Sequence, residues 1–403
     1  MNVLYLTSEF PYPLTSGHLR HFHFLRGLAG EHAITHLSLT RRAAVGPDAR
    51  AALAPYVERQ RVFGEGGGRG GPVRRQARVN RAARDLRAAV AAHLAGGGTD
   101  VVLLSGKETH PALAAIGDAA LVVDMCDAAS VRLRGELAVA DPRRRAAVAV
   151  RLAQHARIER ALAARAPHVL FASERDRAAL GAARGVVVAN GVELGAWSRR
   201  SPPAADPVVA FTGVMSYRPN HDAAMRLVER IMPRVRASVP GARAVIAGRD
   251  PLPALRAAAG PGVAVTGARA DLRPDLEATA VYCAPLRFAS GIQNKLLEAL
   301  AMELPVVTTE VAAAGLRVAG ATPPCVVAGD DDALAAAVVA LLADRAERAR
   351  LGAAGRAYVE RHFSWARSVA LLDEALRAAA ASPGRPAMRR VRPRAPATAV
   401  SRP

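Results

Sequence analysis

Apolar positions along the chain fall into short runs rich in β-branched residues, separated by longer stretches where alanine and leucine recur at helical intervals. The first series of runs reads "NVLYLT", "AITHLSL", "VERQRVF", "DVVLLS", "LVVDM", "HVLFAS" and "GVVVAN". The second reads "VVAFTG", "ARAVIAG", "GVAVTG", "AVYCAP", "LPVVTT" and "PCVVAG". Helices are predicted between them, notably over residues 74–95 and 142–166. Buried strands alternating with helices are the signature of parallel α/β sheets. The stretch "SRRSPPAADP", with its prolines and polar residues, separates the two series as a linker would. The pattern predicts two Rossmann-like parallel-sheet domains facing each other across a cleft, over residues 1–197 and 207–365, with a linker at 198–206. A helix over 366–381 is expected to pack back toward the first domain, followed by a tail over 382–403.

Composition narrows this picture. At 403 residues the chain exceeds one ordinary core, which agrees with two domains. No apolar run reaches the roughly 20 residues of a membrane span. The start, "MNVLYLTSEF", reads as a strand rather than a leader. Cys126, Cys283 and Cys325 are scattered, without metal spacing or a CxxC pair, which suits a reducing cytoplasm. The net charge is +20, yet only Lys107 and Lys295 are lysines and every other cation is arginine. With the alanine and glycine excess, the charge reads as compositional bias rather than a nucleic-acid footprint, so no nucleic-acid partner is expected. The tail "SPGRPAMRRVRPRAPATAVSRP" is proline-rich, free of acids, and expected to be disordered. The glycine loop "GEGGGRGGP" lacks the Lys-Ser/Thr pair of a phosphate-binding loop and reads as a flexible insertion.

The chemistry concentrates in "FASGIQNKLLEALAMELPVVTT", residues 288–309. A strand ends, Arg287 sits at its exit, Ser290 and Gly291 make a turn, and an amphipathic helix begins. A helix N-terminus offers unpaired N–H groups and a positive dipole end to an anion. Gly291 lets a phosphate approach the backbone, while Arg287 and Lys295 can supply charge. A lysine in an arginine-saturated chain hints at a need for a compact ammonium. Glu298, three residues beyond Lys295, can accept hydrogen bonds from a ribose diol. The plain alternative is a solvated Lys–Glu pair on an ordinary helix start.

The stretch "PLRFASGIQNKLLEALAMELPVVTT" resembles the nucleotide-sugar-binding motif of family 4 glycosyltransferases, which have the GT-B fold. "FTGVMSYRPNHDAA", "ARAVIAG", "VAVTGARADLRPDLEATAVYCAPL", "VVVANGVE" and "TSEFPYPLTSGHLRHFHFLRGLA" resemble further segments of that family in order and spacing. The variant with "GIQNK" and "SYRPN" is similar to sugar transferases of exopolysaccharide and exosortase-associated loci. The resemblance implies a retaining transfer of a sugar from a nucleotide-diphosphate donor to a glycan or lipid-linked acceptor, in polysaccharide or glycoconjugate biosynthesis. The donor is then a substrate, with no separate cofactor and no metal site. Glu298 matches the residue that binds the donor ribose, and Ser290 stands where the family has another glutamate. The amides of Gly291, Ile292, Gln293 and Asn294 match the group at the distal phosphate. Gly213 lies in the loop that opens the donor domain. The family's cationic pair there is replaced by Val214 and Pro219, so Lys295, Arg287 and Arg218 are expected to carry the diphosphate's countercharge. Ser16 and Gly17 match a small-residue pair near the donor phosphates, and His18 follows on the acceptor side.

In "LVVDMCDAAS", Asp127 falls near a sugar-contacting family position, and Asp124 is a second acceptor-side candidate. For Asp127 two readings stay open: a cap on the next helix, or a catalytic role beside Lys295 and Arg287. Glu159 resembles a position facing the cleft. "Gly-Asp-Asp-Asp" at 329–332 reads as a helix start. Arg74, Arg78, Arg81 and Arg84 fall at helical spacing, either as a solvated face or as peripheral contact with an anionic membrane. Two rival functions remain: a catalytically weak GT-B protein that binds a nucleotide sugar or a partner, and a GT-B sugar-nucleotide epimerase.

Overall fold

A computed structural model describes residues 1–14, 18–66, 71–181, 185–201, 204 and 206–382. Seven strands build the first sheet: β1 Asn2–Thr7, β2 Ala33–Leu39, β3 Arg59–Phe63, β4 Val101–Ser105, β5 Leu121–Asp124, β6 His168–Phe171 and β7 Val186–Val187. Their spatial order is β3-β2-β1-β4-β5-β6-β7. Six build the second: β8 Val208–Thr212, β9 Arg243–Ala247, β10 Val263–Gly267, β11 Val281–Ala284, β12 Val306–Thr308 and β13 Val326–Val327, in the order β10-β9-β8-β11-β12-β13. Every pairing within the sheets is parallel. The expected fold, two Rossmann-like parallel sheets of the GT-B type, is the one observed.

The central strands are buried end to end because helices cover both faces, which is why β4, β5, β8 and β11 read as unbroken apolar runs. Helix starts follow their local chemistry. Asp141 precedes Pro142–Arg165, with proline at the first position and its side chain accepting from the Arg144 amide. Asp330 caps Asp331–Ala343 through the Ala333 amide, and Asp331 pairs with Arg226, so the acidic triplet is a helix start.

The second domain has its own core. The first sheet carries one apolar cluster on each face. One of those clusters is completed from far along the chain. Helix Trp365–Ala381 crosses back and sets Trp365, Leu372 and Leu376 against Tyr5, Phe24 and Leu103. Trp365 stacks on His23 at 4.2 Å, and His32 bonds Asp373 at 2.6 Å.

In both sheets the strand order reverses beside the first strand, between β1 and β4 and between β8 and β11. Loops diverge there, leaving a crevice at the carboxyl ends of the strands. The two crevices face each other.

Candidate active site

A cavity of about 980 Å³ lies between the sheets, lined from both switch points. From the second domain come Gly213 and Tyr217 after β8, Arg249 after β9, and Ser290 to Lys295 with Glu298 after β11. From the first come His21, Lys107, Asp127, Arg132 and His155.

Helix Asn294–Ala301 starts at the cavity wall. Gln293 ties the preceding turn together: its Nε2 donates to the Ser290 carbonyl at 3.0 Å, and its Oε1 accepts from Lys295 Nζ at 2.9 Å. The Lys295 stem lies against Gly213, where a Cβ would sit 3.3 Å from Cε and 2.6 Å from Asn220 Nδ2. Only glycine leaves that space. Lys295 Nζ also lies 5.9 Å from the centre of the Phe211 ring. Burial lowers the Lys295 ammonium to about 8, against the pull of Glu298. Burial likewise raises Glu298 to about 7, against the pull of Lys295. Two half-buried groups of opposite charge thus titrate near neutrality inside one cavity.

Across the cleft stands the chain's other lysine. Lys107, just past β4, is buried and donates to the Asp127 carbonyl at 2.6 Å and to Asp127 Oδ1 at 2.9 Å. Asp127 Oδ2 accepts from Ser290 Oγ of the second domain at 2.5 Å. Burial pushes the Asp127 carboxyl up, but Lys107 and the Ser290 hydroxyl more than offset this and hold it at about 2. Helix Ala129–Val139 has Ala128 at its cap and no side-chain cap bond, so the capping reading of Asp127 is corrected. Cys126, at φ 56°, makes the sharp turn that sends Asp124 inward and Asp127 toward the cavity.

Asp124 does not face that cavity. It is fully buried, bonded to Arg20 Nε at 2.9 Å and Nη2 at 2.8 Å, to Ser105 Oγ at 2.8 Å and to the Cys126 amide at 3.2 Å. Against the effect of burial, Arg20 holds its carboxyl at about 2. The acceptor-side expectation for Asp124 is therefore corrected to a structural one. Arg20 also reaches Asn190 Oδ1 at 3.0 Å, and Asn190 Nδ2 reaches Asn294 Oδ1 at 2.9 Å, extending the network to the donor-side helix.

Four further expectations change. Arg287 is not a cavity residue: its guanidinium forms an ion pair with Asp222, and neither side chain lines the cavity. Arg218 also lies outside the lining, drawn 4.0 Å from the buried Glu136 of the first domain. His18 is turned to the Pro13 carbonyl at 3.1 Å and does not line the cavity. Ser16 and Gly17 lie outside the described residues. Glu159 is buried beneath the helix it supports, accepting from the Ser130 amide at 3.2 Å.

The amide run 291–294 is only partly open. Gly291, at φ 59°, presses on Asp127, where a Cβ would come within 3.0 Å of the aspartate's own Cβ. Its N–H donates to Asp176 Oδ2 at 2.8 Å, and the same oxygen takes the Ala128 amide at 2.7 Å. Arg175 bonds the Gly291 carbonyl at 3.2 Å. The first domain thus clasps the turn of the second, and the Gly291 amide is committed to that clasp. Burial raises the Asp176 carboxyl, with Arg175 opposing.

Residues 206–344 match the family model of glycosyl transferases group 1. The matched segment holds Gly213, Ser290, Lys295 and Glu298. Among solved structures, a sucrose-phosphate synthase from Thermosynechococcus elongatus superposes with a TM-score of 0.71 at 17% identity, covering 94% of this chain and 99% of that one. HepE from Anabaena, in complex with UDP and glucose, gives 0.66 at 16% identity, covering 94% and 100%. An α,α-trehalose-phosphate synthase (UDP-forming) from Burkholderia vietnamiensis gives 0.62 at 10% identity, with the same coverage. At such identities these likenesses concern the fold. No curated protein sequence matches the chain.

Lys107, Arg132, His155, Tyr217 and Arg249 were not singled out as site residues from the sequence. Lys107 had a usable signal, since it is one of two lysines and directly follows a strand. An arginine such as Arg249 carries no such mark in this composition. Among the described residues, no group of three or more His, Cys, Asp or Glu is placed to hold a metal ion, and no helix is long and apolar enough to cross a membrane.

Proposed function

We propose that this chain is a glycosyltransferase of the family 4 type, moving a hexose-type sugar from a nucleoside-diphosphate donor to a hydroxyl of a glycan or lipid-linked acceptor. The observation that carries the reading is the Lys295–Glu298 pair. It stands at the mouth of one helix, inside the inter-sheet cavity and within the segment that matches the family model. The ammonium suits the donor's diphosphate, and the carboxylate suits the ribose diol. The complexes of HepE with UDP and with UDP-glucose support a nucleotide-sugar donor.

In this reading the bond from the anomeric carbon to the diphosphate oxygen breaks as the acceptor oxygen bonds the same face. The acceptor proton passes to the departing diphosphate. The anomeric configuration is retained, and the protein contributes positioning and stabilisation of the leaving group. The test is calorimetry with UDP-, GDP-, ADP- and TDP-sugars on wild type and Lys295→Ala, followed by an assay of nucleotide release. Binding by wild type that Lys295→Ala weakens by roughly 10- to 150-fold supports the reading. Absence of binding to any of the four overturns it.

One observation favours a second reading, of a nucleotide-sugar-binding protein without turnover: the Gly291 amide is occupied by Asp176. Donor binding with no nucleotide release in the presence of acceptor would select it. The proposed setting is the cytoplasmic face of a membrane in polysaccharide or glycoconjugate biosynthesis. It is supported by helix Pro72–Ala95, where Arg74, Arg81 and Arg84 are exposed beside an exposed Val73. Equal sedimentation with neutral and anionic vesicles would rule out the membrane contact.

A further inference from the structure

The mechanism above leaves Lys107 without a task. A buried lysine is costly unless paired, and this one has two partners, both atoms of a single residue. Bonding the backbone carbonyl and one carboxylate oxygen of Asp127 fixes that residue at two points. It leaves the second oxygen directed at Ser290 in the opposite domain. Cys126 in the left-handed region and Gly291 packed on the Asp127 Cβ restrict the aspartate further. All of these residues line the same cavity.

The chemistry of this corner differs from that of the Lys295 corner. An ionised carboxylate only accepts hydrogen bonds and repels a phosphate. A serine hydroxyl both donates and accepts. An acceptor-only anion with a hydroxyl beside it suits a ligand that presents hydroxyl donors, which a hexose does and a diphosphate does not. The two halves of the reader sit on different domains, so the reader is complete only when the cleft is closed as it is here.

We propose that Lys107 is a positioning residue for sugar recognition: it holds Asp127 so that the carboxylate oxygen it does not itself bond, together with the Ser290 hydroxyl that donates to that oxygen, reads hydroxyls of the transferred sugar. This rests on the nucleotide-sugar reading of the cavity and specifies which part of the donor each corner takes.

The test compares a nucleoside diphosphate with its sugar ester on the full chain. UDP and UDP-glucose form the first pair, and GDP and GDP-mannose the second. The readout is the ratio of the two dissociation constants within a pair. Lys107→Met and Asp127→Asn should each weaken the sugar ester about tenfold relative to the bare diphosphate, the worth of one charge-assisted bond. Lys107→Arg keeps the charge but cannot reach both oxygens in the same way, and should fall between them and wild type. It also reads the ratio should Lys107→Met not fold. An unchanged ratio in these variants, or equal weakening of both ligands, overturns the proposal and leaves Lys107 a purely structural lysine. A wild type that binds neither these pairs nor an ADP- or TDP-sugar overturns the nucleotide-sugar reading itself, a result distinct from an unchanged ratio.

Discussion

The Lys295–Glu298 pair sets a pH window for donor binding whose shape follows from the two titrations. With the lysine at about 8, its ammonium is roughly 90% charged at pH 7 and roughly 10% at pH 9. A diphosphate binds the charged form, so it raises the lysine's pKa, and affinity falls as pH rises through 8. Well above that point the loss approaches about tenfold per pH unit. Glu298, at about 7, is about half ionised at neutrality. A ribose diol binds the ionised form, so it lowers the glutamate's pKa, and affinity climbs as pH rises through 7. Binding should therefore peak between 7 and 8. At the peak, Lys295→Ala removes one charge-assisted contact, about 1.5–3 kcal/mol, or a roughly 10- to 150-fold weaker dissociation constant. It should also flatten the alkaline limb and move the acid limb to higher pH, because Glu298 loses the pull of Lys295; Glu298→Gln should flatten the acid limb and move the alkaline limb to lower pH. Calorimetry with the best-bound nucleotide sugar, at intervals from about pH 6 to about pH 9, measures both limbs. An alkaline limb that survives Lys295→Ala would refute the assignment of the diphosphate to this ammonium.

Other substitutions probe the remaining contacts. Asp176→Ala leaves the Ala128 and Gly291 amides without their shared acceptor, and should cost about 1–3 kcal/mol in urea unfolding. A smaller loss would mean that the clasp is open in solution. Arg287→Ala should leave donor affinity unchanged, because its guanidinium is spent on Asp222 outside the cavity, and calorimetry decides this directly. Trp365→Ala should destabilise the chain by about 3–5 kcal/mol, read as a lowered urea midpoint.

The sheets were legible because parallel strands buried on both faces leave unbroken β-branched runs, as "DVVLLS" and "VVAFTG" do. The start of helix Asn294–Ala301 was legible for a similar reason: a glycine turn and one rare lysine mark it. What escaped the sequence were pairings between segments distant along the chain. Nothing near Arg287 announces that Asp222 lies opposite, and nothing near Asp124 announces Arg20 at a separation of 104 residues. Both side chains looked like site residues because they follow strands, and both are turned away by a partner that only the folded chain supplies. Asp176, which joins the domains, sits in an ordinary-looking helix start, capped by Ser173. Lys107 was visible as a rarity, but its partner Asp127 becomes its neighbour only when β4 and β5 pair.

The closing helix Trp365–Ala381 gives the chain an unusual order of assembly. The strands of the first sheet leave the ribosome long before Trp365, Leu372 and Leu376, which complete one of that sheet's apolar faces. The second domain, whose core cluster lies within residues 192–363, can close before the first is finished. Until the last helix docks, Tyr5, Phe24 and Leu103 lack the cover that shields them from neighbouring chains. A stalled or clipped product should therefore aggregate through its oldest residues, not its newest.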